Sequence, residues 1–305
     1  MVRLHYLPPS EQVCESFVPL RYIGFSVIDY FVFRFPYLSR EAWMDMIREG
    51  RVAVNKKPTH PEFVLKEHDL IVTRLGKRLE PPANREIRIM YEDQNIRVFN
   101  KAAPIPVHPS GRYYKNSMTE LLKDRYPEER LRPVQRRAAA TTGVVVFAKT
   151  REAATFLMHE FSINRVRKEY LAIVEGMPRA RRFMIDAAIG KINGSRRGTG
   201  SEAVSPKQAV TRIQWLSSRK GRSLLKVVPL SGRTNQIRVH LTGAGLPIVN
   251  DPVYGSGTRG SSNMPLGLHA YRLSFRCFES SLEITAPWPE HFQPYLKTEA
   301  GNLEP

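Results

Sequence analysis

Between residues 39 and 50, apolar side chains recur at Trp43, Met46 and Ile47, the spacing of one helix face. Ser39 precedes the run and Gly50 closes it, so the pattern predicts a helix with both ends marked. Residues 51–55 then predict a short strand, and 64–72 a turn and another strand. Around residues 79–84 the pattern breaks. Pro81 and Pro82 can continue neither a helix nor a central strand, and they predict a linker. Beyond residue 87 strands dominate. Residues 96–101 alternate as a half-buried strand does, and 144–147 form a short β-branched run suited to a buried central strand. Residues 151–164 predict a helix with Ala154, Leu157, Met158 and Phe161 on its apolar face. Residues 170–174 and 224–228 predict further strands, and 234–242 a short helix ended by Gly243 and Gly245. The order is not a regular β-α-β alternation. It predicts an α+β fold on a large mixed or antiparallel sheet with flanking helices. The domain reading is a small α+β module over 1–80, a linker over 81–86 and a larger domain over 87–305.

Charge adds a partner to this picture. The 305 residues carry 47 Lys and Arg against 29 Asp and Glu, a formal charge of +18. An excess of that size points to a polyanion, because clustered cations release counterions from a phosphate backbone. Local runs include Arg165, Arg167 and Lys168, and then Arg179, Arg181 and Arg182. Such runs are also what a plain solvated face looks like. The two cysteines, Cys14 and Cys277, support neither a disulfide framework nor a cysteine zinc site, which suits a reducing, cytoplasmic setting. The first residues lack an apolar stretch of signal-peptide length. Residues 19–38 are apolar and aromatic but contain Arg21, Asp29 and Arg34, which argues against a membrane span and a membrane partner.

Residues 134–150 carry the sharpest motif. Gln135, Arg136, Arg137 and Ala138 are followed two residues later by Thr141, Thr142 and Gly143 and then by the apolar strand from Val144 to Ala148. This resembles the signature of the RluA-type pseudouridine synthases, in which a His-Arg-Leu-Asp run precedes Thr-Ser-Gly and a strand. Other stretches extend the likeness in order. Asn100 to Gly111, with Pro104, Pro106, His108 and Pro109, resembles the family's strand and Pro/His loop. Lys168, Glu169 and Tyr170 are similar to its Lys-x-Tyr strand. Gly232, Arg233, Thr234, Asn235, Gln236, Ile237, Arg238 and His240 resemble its Arg-Thr-His-Gln-Ile-Arg-x-His motif, with Asn235 replacing a His. Gly245, Pro247, Asp251, Tyr254 and Gly255 continue it, and His269 to Phe275 with Ala286 and Pro287 resemble the closing strands. Several ordered motifs at matching spacing are a far stronger signal than a lone pattern. The likeness spans roughly 87–290, and the N-terminal segment resembles a small RNA-binding module that many such enzymes carry.

The resemblance implies a chemistry and its residues. Family members cut the C1′–N1 bond of a uridine in RNA, turn the base over and rejoin it through C5, with neither cofactor nor metal. The target base leaves its stack and needs a pocket. The implied pocket residues are Tyr170 as the stacking wall, Arg233 as partner of the catalytic carboxylate, and Arg136 and Thr142 from the signature run. Arg165, Arg167, Lys168, Arg181, Arg182 and Arg238 are the implied contacts to structured RNA, ribosomal or transfer. The implied catalytic Asp falls on Ala138, which can neither attack carbon nor move a proton. Arg233 is then expected to be a buried cation in need of another anion. His108, His240 and His269 read as structural. The leading expectation is therefore an RNA-binding homologue with lost or severely reduced isomerase activity. A working synthase that recruits Asp251 or Asp186 is the second reading. A non-enzymatic partner of ribosomes or RNA-processing factors is the third.

Overall fold

The computed structural model describes residues 3–135, 137–194, 196–255, 265–295, 297–298 and 301–302. The chain divides into two compact units, residues 6–80 and residues 81–305 with the first five.

The smaller unit contains β1 (Ser10–Phe17), α1 (Val27–Arg34), α2 (Arg40–Arg48), β2 (Val52–Val54), β3 (Lys57–Pro58) and β4 (Leu70–Arg78). Its strands form an antiparallel sheet in the order β1-β4-β2-β3. Ser39 caps α2, its hydroxyl accepting from the Ala42 N–H at 3.2 Å, and Trp43, Met46 and Ile47 face the core. Trp43 packs on Phe31, ring centroids 4.5 Å apart. Strand β1 has no counterpart in the sequence reading. It is a polar edge strand whose sequence, SEQVCESF, lacks apolar alternation.

The larger unit begins with β5 (Ile87–Glu92), β6 (Ile96–Lys101), α3 (Met118–Arg125), β7 (Arg132–Pro133), β8 (Thr142–Ala148), α4 (Arg151–Ser162) and β9 (Arg167–Glu175). Then come β10 (Arg182–Asp186), β11 (Ile189–Asn193), β12 (Arg196–Gly198), β13 (Val204–Lys207), β14 (Val210–Arg219), β15 (Arg222–Pro229), α5 (Gln236–Gly243), β16 (Leu268–Cys277) and β17 (Ser280–Thr285). Ten strands make one mixed sheet in the order β10-β14-β15-β9-β16-β8-β6-β5, with β17 added on β16 and β7 on β8. Strands β11 to β13 form a separate small sheet.

Strand periodicity decides which core each side chain enters. In β8, Val144, Val146 and Ala148 pack with Ala153, Ala154 and Leu157 of α4. Val145 and Phe147 point the other way, onto Met118 and Leu122 of α3. Strand β6 is covered on both faces in the same manner, with Ile96 and Val98 toward α4 and Phe99 toward α3. It is therefore buried, not half-buried as its alternation predicts. On α4 the sequence reading errs at one position: Met158 is 56% exposed, while Glu160 is buried. In β9, Tyr170, Ala172 and Val174 meet Ile237 and Leu241 of α5, and Leu171 and Ile173 meet Phe292 and Tyr295. Tyr170 is thereby set on the face beside α5.

Strands β8 and β16 run parallel, pairing Thr142 with His269 and Gly143 with Ala270. Gly143 has φ +103°, and a methyl group there would lie 2.1 Å from the Ala270 carbonyl oxygen. Neither backbone can yield without breaking the sheet, so the turn at 141–143 requires glycine. Gly143→Ala is expected to lower folding stability by about 3 kcal/mol or more, measured by urea denaturation; a loss within about 0.5 kcal/mol would contradict the close approach.

Candidate functional site

A cleft of about 1270 Å³ opens on the face of the large sheet that carries Tyr170. Its walls come from four stretches: the loop at 106–113, the segment 134–141, the start of β9, and the loop 229–238 leading into α5. Buried polar contacts hold the segment that bears Ala139 and the loop that leads into α5.

The first two walls are tied together by Lys101, at the end of β6. Its side chain is 1% exposed, and its ammonium donates to the carbonyls of Ala102 (2.9 Å), Ile105 (2.7 Å) and Ala139 (3.1 Å). The Ala139 carbonyl also accepts from the Ile105 N–H at 3.0 Å. Burial, followed by the charge of Arg137, holds the Lys101 pKa well below its ordinary value. The next loop residue, Ala138, is exposed into the cleft.

The last wall is fixed by Gln236. Its side-chain carbonyl accepts from the Ser231 hydroxyl (2.8 Å) and the Arg233 N–H (3.0 Å), and its amide group donates to the Val210 carbonyl (2.9 Å) and the Thr211 hydroxyl (3.0 Å). Asn235 enters α5 in the left-handed conformation, φ 58°. Sequence reading matched Gln236 to a motif but gave it no role. Its signal was position alone, a buried amide next to a turn.

The sequence-derived site residues divide into three groups. Tyr170 lines the cleft, and Arg137 occupies it: the guanidinium lies 5.0 Å above the ring centroid and donates to the phenol oxygen. Lys168 also lines the cleft, on the same face of β9 as Tyr170. Burial, then the nearby Arg137 charge, lower its pKa. Arg233 lines the cleft too, but it is exposed, with Nε donating to the Gln208 carbonyl at 3.1 Å. The buried cation expected there is not found. Water reaches Arg233 because the loop 231–234 stands at the rim, so it has no need of a replacement anion.

Thr142 turns away from the cleft. Its hydroxyl lies 2.8 Å from His269 Nδ1, and Thr141 lines the cleft instead. Burial, followed by the neighbouring His291, lowers the His269 pKa to about 3, so the ring is neutral. His240 is likewise internal, between the Thr211 hydroxyl (2.9 Å) and the Ala187 carbonyl (2.9 Å). A carbonyl can only accept, so Nε2 carries the proton and Nδ1 accepts from Thr211. His108 lines the cleft. Among the described residues no cluster of three or more His, Cys, Asp or Glu could hold a metal ion.

Among the implied RNA contacts, Arg165, Arg167, Arg181 and Arg182 are exposed. Arg165 lies 3.6 Å from Glu160, and Arg167 pairs with Glu169 at 2.6 Å. Arg238 lines the cleft, but its guanidinium is paired, gripping Asp251 through two bonds of 2.7 and 2.6 Å and stacking 4.9 Å over Tyr254. Arg136 lies outside the described residues.

The acids named as substitutes are not in the cleft. The Asp251 side chain is 0% exposed and accepts from Arg238 and from the N–H groups of Val253 (2.9 Å) and Tyr254 (3.0 Å). Burial pushes its carboxyl up, but Arg238 and the two N–H donors outweigh this and hold it below the ordinary range. Asp186 is exposed at the end of β10, outside the cleft lining. Glu129 pairs with Arg97 at 2.9 Å. Among the described residues that line the cleft there is no Asp or Glu, while Arg112, Arg137, Lys168, Arg233 and Arg238 all do. The site is a cationic cleft with an aromatic floor.

Comparison with known proteins places this geometry. Residues 95–242 match the family described as RNA pseudouridylate synthase. An uncharacterized RNA pseudouridine synthase of Synechocystis is 28% identical over 291 residues, covering 91% of this chain and 99% of that protein. The ribosomal large subunit pseudouridine synthase D of Borreliella burgdorferi is 31% identical over 225 residues, covering 70% of this chain and 69% of that one. The solved structure of human RNA pseudouridylate synthase domain containing 1 superposes with a TM-score of 0.60 at 25% identity, covering 69% of this chain and 86% of that one. The chain spans 62%, 44% and 58% of the length of a plant, a human and a yeast relative that it also matches. The ten-stranded mixed sheet, the cleft beside α5 and these similarities make this chain a member of the RNA pseudouridine synthase family.

Proposed function

We propose that this protein binds structured RNA through the cationic cleft and has lost, or nearly lost, the isomerase chemistry of its family. The observation that carries the reading is Ala138. The signature run assigns the catalytic carboxylate to this position, and its methyl group faces the cleft. The loop around it is held by the Lys101 and Ile105 contacts to Ala139 and by a 3.2 Å bond from the Thr141 N–H to the Ala138 carbonyl. A neighbouring acid would have to displace that framework to reach the sugar of a bound uridine. Removing a catalytic group from a prepared site costs several orders of magnitude in rate. The binding half of the reading rests on charge. Residues 81–305 contain 35 Lys and Arg against 19 Asp and Glu, and the cleft residues share that excess.

Asp251 supports the same reading, because its carboxylate is spent on Arg238 and on the turn at 251–254. Its role is structural.

Two outcomes follow. RNA carrying C5-tritiated uridine, transfer or ribosomal, should release no tritium above background when incubated with the full chain. Release at an ordinary enzymatic rate would overturn the loss of chemistry. The same RNAs should bind with an affinity that falls about 10³-fold between 50 and 200 mM salt, as six or more phosphate contacts require. Affinity that is flat with salt would overturn the electrostatic reading.

Asp251 gives a separate test. Asp251→Asn leaves Arg238 buried against a neutral partner and should cost about 3–5 kcal/mol of stability. The sign with pH is fixed by the lowered carboxyl pKa in the fold. The contribution is fully present above the ordinary carboxylate value of about 4 and is lost as pH falls through the folded value. Urea denaturation between pH 7 and pH 3 should show a loss in the natural protein that is smaller in Asp251→Asn. Equal acid losses in the two proteins would show that the pair contributes nothing.

A further inference from the structure

Three groups that line the cleft with Ala138 have hydrogen-bonding capacity that the described residues do not fill. The Arg137 Nε is buried and has no partner among the described residues, although its guanidinium is held against Tyr170. Both heteroatoms of the Gln135 side-chain amide are buried at the cleft wall without a partner among the described residues. Lys168 is 8% exposed, lines the same cleft and makes no ion pair with the acid beside it in sequence. That acid, Glu169, points to the opposite face of β9, where Arg167 (2.6 Å) and Lys226 (3.1 Å) hold it. Lys101, by contrast, has all three ammonium protons on carbonyls and offers nothing to a ligand. Leaving a buried donor unsatisfied costs roughly 1–3 kcal/mol, more for charged groups. Two cations and an amide line one cleft with no acid among the described lining residues, an environment that favours an anion.

We propose that Arg137, Lys168 and Gln135 form an oxyanion site that seats a phosphate group of an RNA strand in the space left by the side chain missing at Ala138. A phosphate supplies several acceptor oxygens at once, and a guanidinium binds them in its planar fork. Arg137 already covers the face of Tyr170 on which a base would stack, so the anchor of the ligand is its phosphate and not its base. The proposal rests on the RNA-binding reading given above and adds the group that is bound and the side chains that hold it.

The test is calorimetric titration of the full chain at low salt with four probes: inorganic phosphate, uridine 5′-monophosphate, the dinucleotide UpU and uridine. UpU carries an internal phosphodiester, as an RNA backbone does, and the monophosphate carries a terminal one. The expected result is binding of UpU and of the monophosphate at least about tenfold tighter than uridine, with a further loss of at least about tenfold in Arg137→Leu and in Lys168→Gln, the size of one charge-assisted hydrogen bond. Unchanged thermal midpoints would establish that both variants fold. Inorganic phosphate and the monophosphate binding while UpU does not would overturn the RNA backbone as the source. Uridine binding as tightly as UpU would overturn the phosphate anchor, as would tighter uridine binding in Arg137→Leu, which would make Arg137 a plug in a base pocket. The two readings fail separately. Salt-sensitive RNA binding that is untouched in both variants sinks the oxyanion site alone. Absence of RNA binding in the natural protein sinks the broader reading, whatever the small probes do.

Discussion

Lys101 joins the end of β6 to two loops through three carbonyl contacts, and the segment bearing Ala138 keeps its course because of them. An ammonium this deeply buried is costly to desolvate, and three short bonds are what make it tolerable. The contacts also set a direction. With Ala139 pulled toward β6, Ala138 faces the cleft and Thr141 enters the turn that Gly143 completes against Ala270. Tyr170 reaches the same space from β9, positioned by Ile237 and Leu241 of α5 behind it. The segment is therefore held in place by buried contacts, and at the cleft it presents the methyl group of Ala138.

A lining of cations with no acid among the described residues has an electrostatic consequence. A catalytic carboxylate in this cleft would offset the cations around it. Without one, Arg137 and Lys168 face each other's charge, and the lowered Lys168 pKa reflects burial first and Arg137 second. Arg137 finds partial relief on Tyr170, whose ring face and hydroxyl both attract a cation. That contact draws on the aromatic surface that base stacking would need. An acid-free lining and an arginine over the tyrosine ring are thus physically consistent with the proposed anion site.

Much of the fold was legible because local pattern and tertiary environment agree there. The run from Val144 to Phe147 is apolar at every position, and it lies between α3 and α4. Ser39, Trp43, Met46, Ile47 and Gly50 mark a helix whose cap, face and end are where the spacing puts them. Legibility ended where a residue's surroundings come from distant segments. Residues 96–101 alternate like a strand with one wet face, but the polar positions, Arg97 and Lys101, are buried by an ion pair with Glu92 and Glu129 and by carbonyls. Strand β1 is polar because it lies at a sheet edge. In the cleft, motif register nominated Arg233 and Thr142, yet loop height exposes the first and a His269 contact turns the second inward. Arg137 departs from the signature, and its position in the sequence leaves open whether it fills the pocket or points away; it lies over Tyr170 in the cleft. Nothing local distinguishes it from its neighbours; its role comes from β9 lying beneath it.

Charge is also unevenly shared between the units. Residues 6–80 hold 11 Lys and Arg against 10 Asp and Glu, so almost the whole excess belongs to the unit that carries the cleft. Counterion release scales with the number of phosphates met by cations, which gives a near-neutral unit little of that term to contribute. The smaller unit instead exposes large side chains, among them Phe17, Leu20, Phe33 and Tyr37. Stacking on such rings tolerates any base and needs few charges, whereas a phosphate site needs fixed cations in a partly dry cleft. On the RNA-binding proposal, the salt-dependent part of the affinity falls mainly to residues 81–305, where Arg137 and Lys168 line the same cleft as Ala138.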